Sequence, residues 1–226
     1  MSFFTFAWDW LKSPQQWHGQ DAIPARILEH LGYAGLSLLV AAAIALPLGL
    51  LIGHTGRGSF AVVNIANVAR AIPTLGLLVL VVVLLGLGVL AWLIPLVALA
   101  IPPILVNTYE GVAGVDADLK DGARGMGMTE WQLLRKVEVP VAVPLIVLGV
   151  RTSALFVVAT ATIAAYIGVG GLGRYIIDGL AADNYGEVAG GAAVIVVLAL
   201  VVQAAFTGLR RLVVPRGLRL QARSSR

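Results

Sequence analysis

Residues that could do chemistry are sparse in this chain, and their spacing argues against catalysis. The three histidines, His18, His30 and His54, lie on no shared helical face, so they do not form the convergent set a metal needs. Cysteine is absent, which removes disulfides and thiolate ligands from consideration. No phosphate-binding loop of the Walker type occurs, so the chain itself is not expected to hydrolyse ATP. Gly168, Gly170 and Gly173 do spell G-x-G-x-x-G, with Glu187 downstream. A dinucleotide site needs that motif between a strand and a helix, and here it follows a long apolar run. It reads instead as a tight turn or re-entrant bend that lets helices approach closely.

The richest polar segment is 116–138. Asp116 is placed to cap a short helix running through Leu119 to Arg124, and Gly125 and Gly127 are placed to break it. Thr129 with Gln132 fits a capping box for a second helix over 130–137. On that helix Trp131, Leu133 and Leu134 offer apolar surface while Arg135 and Lys136 stay polar. An elbow of this kind either docks in a groove on a soluble partner or merely links its two neighbours.

The elements that must carry this elbow are membrane helices. The composition is 59% hydrophobic and 12% charged, and the mean hydropathy is +0.91. A soluble domain of this length needs far more charge on its surface. Residues 31–53 and 188–209 are uncharged runs, each long enough for one crossing. The uncharged run 71–109 is long enough for two, with a break around Gly86 and Gly88 and with Pro95, Pro102 and Pro103 bending or ending the second. Residues 152–173, entered from Val143, supply another, with Arg151 near one end. Five crossings result. Pro47 and Pro73 fall inside spans and are expected to kink them. Before the first span, Trp8, Trp10 and Trp17 suit an amphipathic segment lying at the interface.

Basic residues set the orientation. Arg210, Arg211, Arg216, Arg219, Arg223 and Arg226 crowd the C-terminal end, so that end is expected in the cytoplasm. Counting back, 54–70 and 110–138 also fall inside, and the N-terminal stretch and 168–187 fall outside. The net charge of +4 therefore speaks of orientation and not of nucleic acid. Arg151, at a predicted membrane boundary, is a functional candidate by default, although snorkelling to the cytoplasmic headgroups is the more economical reading.

Asp121-Gly122-Ala123, three residues, Gly127, nine residues, then Val137-Glu138-Val139-Pro140 resembles the Glu-Ala-Ala loop of binding-protein-dependent importer permeases. Asp121 stands where that loop usually has Glu, which retains the charge. Gly122 stands for the first Ala, which loosens a helix by about 1 kcal/mol. Asn107-Thr108-Tyr109-Glu110-Gly111, Ala123 to Thr129, Gly149-Val150-Arg151-Thr152 and Ile167 to Gly173 are similar to the osmoprotectant permeases, which import glycine betaine, choline, carnitine or proline betaine. Arg70-Ala71-Ile72-Pro73-Thr74-Leu75 resembles that group's Gln-Thr-Ile-Pro-Ser-Leu stretch, differing at the first, second and fifth positions.

The resemblance implies an all-α membrane protein of about five helices with the type I importer fold of the methionine permeases. It implies an interfacial segment 1–27, a transmembrane domain 28–213 with a cytoplasmic loop 110–138, and a basic tail 214–226. Its coupling loop would place Asp121, Gly122, Ala123, Arg124, Gly127, Met128, Thr129, Glu130, Trp131, Leu134 and Pro140 against a separate ATPase. Residues Pro73, Thr74, Asn107, Arg151, Thr152, Gly170 and Gly171 would lie near the translocation path. The chain would be a transport subunit and not an enzyme, with ATP and Mg used by partner subunits. A solute-binding protein outside, a second permease subunit and membrane lipid would complete its surroundings in a bacterial plasma membrane. The spans carry few aromatics, chiefly Trp92, Phe156 and Tyr166. An aromatic cage for a quaternary ammonium group is therefore expected in the binding protein. The rival reading is a stand-alone channel or secondary carrier with no ATPase. A membrane-embedded enzyme would need clustered intramembrane His, Asp or Glu, which the sequence lacks.

Overall fold

The computed structural model of the chain describes residues 3–60, 62, 64 and 71–213. Every regular element among them is helical. Arg70 and the basic tail 214–226 lie outside the described residues. Helix α1 is Phe3–Lys12, α2 Ile23–Thr55, α3 Thr74–Leu85, α4 Val89–Ala113, α5 Ala117–Gly125, α6 Glu130–Leu133, α7 Val139–Ala161, α8 Gly173–Ala181 and α9 Tyr185–Val213. Four apolar helical runs are long enough to cross a membrane: Ile23–Thr55, Val89–Ala113, Glu130–Ile167 and Tyr185–Leu212. The 12 residues of α3 are as apolar but fewer than the roughly 20 a crossing takes.

The break expected within 71–109 is present. Helix α3 ends at Leu85, and Gly86 turns the chain at φ 77°. Three other expectations give way. Pro95, Pro102 and Pro103 do not end the second helix, because α4 continues past all three to Ala113. Pro95 and Pro102 are buried, and packing against neighbours compensates the lost backbone donors. Pro73 does not kink a span but precedes α3 as its N-cap residue, where a missing N–H costs nothing. Pro47 does lie inside α2. The helix sought at 152–173 lies earlier: α7 covers Val139–Ala161 and is followed by a 3-10 turn, Ile163–Ile167. Arg151 accordingly sits midway along α7, not near its end. The reason is local: Val139 to Val150 carries no charge, and its prolines do not stop the helix.

The described residues fall into two compact units. One comprises the chain up to Leu39, Ile72–Leu99 and Ala154–Gln203. In it α1 is amphipathic: Phe4 and Trp8 are exposed, whereas Ala7 and Trp10 are buried. The Trp10 ring sits edge-on to Tyr175 and occupies the space a Cβ on Gly190 would need. Trp10 is thus a packing residue and not an interfacial one. Trp92 likewise packs, its ring 4.9 Å from that of Tyr33. The Tyr175 hydroxyl donates to the Asp21 carbonyl at 2.6 Å, and burial pushes its pKa up to about 12, so it remains a donor at physiological pH. His30, fully buried, donates Nε2–H to the Val158 carbonyl at 2.9 Å.

The other unit comprises Val40–Ala71, Ala100–Ser153 and the chain from Ala204. Its core is a close stack of helices around α4. Gly49 and Gly53 form a G-x-x-x-G pair on α2. A Cβ on either would lie 2.7 Å from the Cβ of Thr108 or of Val112 on α4. On another side of α4, Gly149 of α7 faces the Asn107 side chain and the Pro103 carbonyl, each 2.8 Å from where its Cβ would be. Ser153 adds a hydroxyl hydrogen bond to the Ala100 carbonyl at 2.7 Å. Small residues matter here because lipid offers no hydrophobic drive between helices, so contact area and hydrogen bonds decide association. Gly149→Val should therefore force α4 and α7 apart, costing about 1–3 kcal/mol. A lower melting temperature of the detergent-solubilised variant is the check.

Candidate functional site

The polar segment 116–138 folds as a capped elbow. The Asp116 carboxylate accepts from the Asp118 N–H at 2.9 Å and starts α5. Helix α5 ends at Gly125, and Gly127 takes φ 81°, a conformation that glycine alone adopts without strain. The Thr129–Gln132 capping box is complete: the Gln132 N–H donates to Thr129 Oγ1 at 3.4 Å, and the Thr129 N–H donates to Gln132 Oε1 at 3.0 Å.

The second helix does not stop at Val137 as the spacing suggested. From Glu130 the chain passes through one π-helical turn, Leu134–Glu138, and runs directly into α7. Pro140 accounts for the widened turn. Its ring would press on the carbonyl four residues back, and it has no N–H to close a normal turn. Elbow and membrane helix are thus one continuous piece. The loop is also shorter than 110–138, since Glu110 to Ala113 belongs to α4.

Arg124 spans the turn. Its Nε and Nη2 donate to the two oxygens of Glu130 at 3.0 and 3.2 Å, and its Nη1 donates to Asp121 at 3.3 Å. The hydrogen bonds it donates to Glu130 are the main reason the guanidinium pKa is raised. These groups are exposed, so the fork fixes shape more than it adds stability. The elbow offers apolar side chains to its surroundings: Met126 is 75% exposed and Trp131 67%. Ala123 and Leu133 are buried beneath. Asp121, Gly122, Gly127, Thr129 and Glu130 are exposed, while Met128, Leu134 and Pro140 are half-buried.

Beneath the elbow lies a residue quoted in the loop motif above without a role. Glu138 is 1% exposed. Its Oε2 accepts from His54 Nδ1 at 2.6 Å, and its Oε1 lies 3.4 Å from Lys120 Nζ. The other ring nitrogen of His54 is 3.3 Å from Glu130, and Lys120 also donates to the Val112 carbonyl at 3.3 Å. One carboxylate therefore joins the last turn of α2, the elbow helix α5 and the entry to α7. His54, on no face shared with the other histidines, finds its partner 84 residues away. The available signal was a lone acid directly before an apolar proline-bearing run.

The residues assigned to a path are divided between the two units, Pro73, Thr74, Gly170 and Gly171 in the first and Asn107, Arg151 and Thr152 in the second. The Asn107 amide donates to the Pro103 carbonyl of its own helix at 2.8 Å. In the other unit, the Gly171 N–H donates to Glu29 Oε2 at 2.8 Å, with Gly171 at φ 87°. Glu29 also accepts from Arg26 at 2.8 Å, and Arg26 pairs with Asp21. Gly170 lies against the same two side chains, with no room for a Cβ. The glycine motif thus brings backbone close to the start of α2. Thr74 begins α3, and Thr152 is exposed on α7.

Long apolar helices, close small-residue packing and a capped polar elbow define a multi-pass membrane protein. Residues 45–218 match the family model described as "Binding-protein-dependent transport system inner membrane component", and the chain belongs to that family. It is 36% identical over 190 residues to the glycine betaine/carnitine/choline transport system permease protein OpuCB of Bacillus subtilis, covering 84% of this chain and 88% of that protein. It is 39% identical over 191 residues to the carnitine transport permease protein OpuCB of Listeria monocytogenes, with the same coverage. Among solved structures it is similar to a chain of the MetNI methionine ABC transporter in an inward-facing conformation, with TM-score 0.73 and 27% identity, covering 83% of this chain and 94% of that one. The all-helical fold is that of an ABC importer permease, and the chain is a transport component.

Proposed function

We propose that this chain is the permease of an ATP-driven importer for a quaternary ammonium osmoprotectant, in the class of glycine betaine, choline or carnitine. The solute class rests on the relatives named above; the coupling role rests on the elbow. Its exposed Trp131 and Met126 form an apolar knob on a glycine turn, and the helix behind the knob continues unbroken into α7. A knob of this kind fits a cleft on a cytoplasmic ATPase subunit, which uses ATP and Mg. A push on it is delivered straight to a membrane helix. Glu138 spreads the same push to α2 through His54.

Two permease subunits, identical or related, enclose the path. ATP binding closes the ATPase pair, the path opens outward, and an external binding protein delivers solute. Hydrolysis resets it. The motor and the solute both bias one two-state element, as coupling requires. The C-terminus and the elbow face the cytoplasm and the N-terminus faces outside. As the family resemblance implies, Pro73, Thr74, Asn107, Arg151, Thr152, Gly170 and Gly171 are the residues assigned to the neighbourhood of the path. Few aromatics are available for a cation cage, so selection falls to the binding protein.

The test is reconstitution with an ATPase subunit and a solute-binding protein of this importer class. Solute uptake into vesicles should require ATP and the binding protein; uptake without an ATPase would favour the stand-alone carrier. Gly127→Val puts a β-branched side chain at φ 81°, which costs about 1–3 kcal/mol of local strain and re-aims the knob. Uptake should fall about 5- to 150-fold while the protein inserts normally and ATPase activity persists.

A further inference from the structure

The last turn of α2 is tied to the elbow through a single ring. Both nitrogens of His54 face carboxylate oxygens: Nδ1 lies 2.6 Å from Glu138 Oε2, and Nε2 lies 3.3 Å from Glu130 Oε2. A neutral imidazole has one N–H and one lone pair, so it can donate to only one of the two. Its lone pair would then point at the other carboxylate. Neither carboxyl group is placed to supply the missing proton. Glu130 accepts two hydrogen bonds from Arg124, and Lys120 Nζ is 3.4 Å from the second oxygen of Glu138. Each is thereby held as an ionised acceptor. Among the described residues, the charged groups that face the ring or its partners are Glu138, Glu130 and Asp121 against Lys120 and Arg124. The set is one positive charge short, and a second proton on His54 balances it. Glu138 is buried, which is where an uncompensated charge costs most. The neighbouring Thr55 hydroxyl donates to the Leu51 carbonyl of its own helix, so it makes no second tie.

We propose that His54 carries a proton on both ring nitrogens and, so charged, is the positioning residue that makes α2 follow the elbow, a link that opens when one proton leaves. The Nδ1 proton sits in the shorter bond, to the buried Glu138, so the proton lost as pH rises is the one on Nε2. The contact between α2 and Glu130 is therefore present while the ring is charged and is lost at higher pH, when a lone pair faces the carboxylate. Glu138 still joins α2 to the entry of α7, but the elbow helix α6 is released from α2. The proton then controls how well hydrolysis is coupled to movement, and not hydrolysis itself. This transport consequence rests on the importer reading above; the protonation of the ring does not.

The test is nitrogen NMR of the full-length chain in nanodiscs, isotopically labelled at its three histidines. It needs neither ATPase nor solute, so its outcome is independent of the importer reading. Signals lost in His54→Gln belong to His54. At the acid end of the range in which histidines change charge, about pH 5–8, both of its nitrogens should be protonated. At higher pH Nε2 alone should lose its proton. Glu130→Gln, at an exposed position, should move the Nε2 signal and leave Nδ1 in place, which identifies the ring even if the first variant does not fold. A ring with a single proton throughout, or an Nε2 signal indifferent to Glu130, would overturn the proposal. In reconstituted vesicles, solute imported per ATP hydrolysed should fall about fivefold from the acid to the alkaline end in the wild type. It should stay high in His54→Lys, whose charge persists, and low in His54→Gln. A wild-type ratio that tracks the lysine variant across the whole range would break the link to coupling.

Discussion

Replacing Glu138 with alanine is expected to destabilise the folded chain by about 3 kcal/mol. The carboxylate is 1% exposed and meets His54 and Lys120. Removing the carboxylate leaves His54 with Glu130 and Lys120 with the Val112 carbonyl as their remaining partners, beside a cavity that the carboxylate filled. His54 and Lys120 keep 13% and 17% exposure, so some water reaches them and the cost falls at the lower end of the 3–5 kcal/mol seen for such losses. Glu138→Gln preserves volume and an acceptor and should cost less. Converting Lys120 to methionine in the alanine background should recover part of the loss, because it removes the stranded cation. Thermal melts of the purified variants measure all three. The same junction ties α2, α5 and the entry to α7, so uptake per ATP hydrolysed should drop in Glu138→Gln even where the protein remains folded. A melt indistinguishable from wild type in Glu138→Ala would remove the junction from the account.

Trp131→Ala should do the reverse. The indole is 67% exposed, so the isolated permease should melt as before. In a docked complex, however, an exposed tryptophan at the tip of a rigid knob has the character of a hot spot, worth about 2 kcal/mol or more. Affinity for the ATPase should fall about 30-fold, and ATP-driven uptake with it. Surface-bound ATPase titrated against permease in nanodiscs gives the number directly. Equal affinity for wild type and variant would move the interface elsewhere. Together the two substitutions separate the part of the elbow that receives a push from the part that passes it on.

Much of this was legible in the sequence because it depended on local rules. The capping roles of Asp116 and Thr129, the turn at Gly127 and the break at Gly86 follow from side-chain hydrogen bonding and from glycine's access to positive φ. The helix ends were less legible, and for one reason. Proline in a membrane helix is tolerated when neighbours resupply the lost partners, so Pro95, Pro102 and Pro103 stop nothing, and the helix expected to end at Val137 continues through a π turn past Pro140. Trp10 was misread because amphipathicity identifies an interfacial helix without saying which of its aromatics faces protein. The loop spacing included Glu138 but could not give its role, since its partners His54 and Lys120 lie on α2 and α5.

The central claim is that the knob at Met126 and Trp131 faces the cytoplasm and meets a separate ATPase. The chain has no cysteine, so Met126→Cys provides a single thiol at a position that is 75% exposed. Labelling with a membrane-impermeant maleimide can then be compared in intact cells and in inverted vesicles, with and without the ATPase. The account predicts labelling only in inverted vesicles, and protection when the ATPase is bound. Labelling from outside intact cells would contradict it.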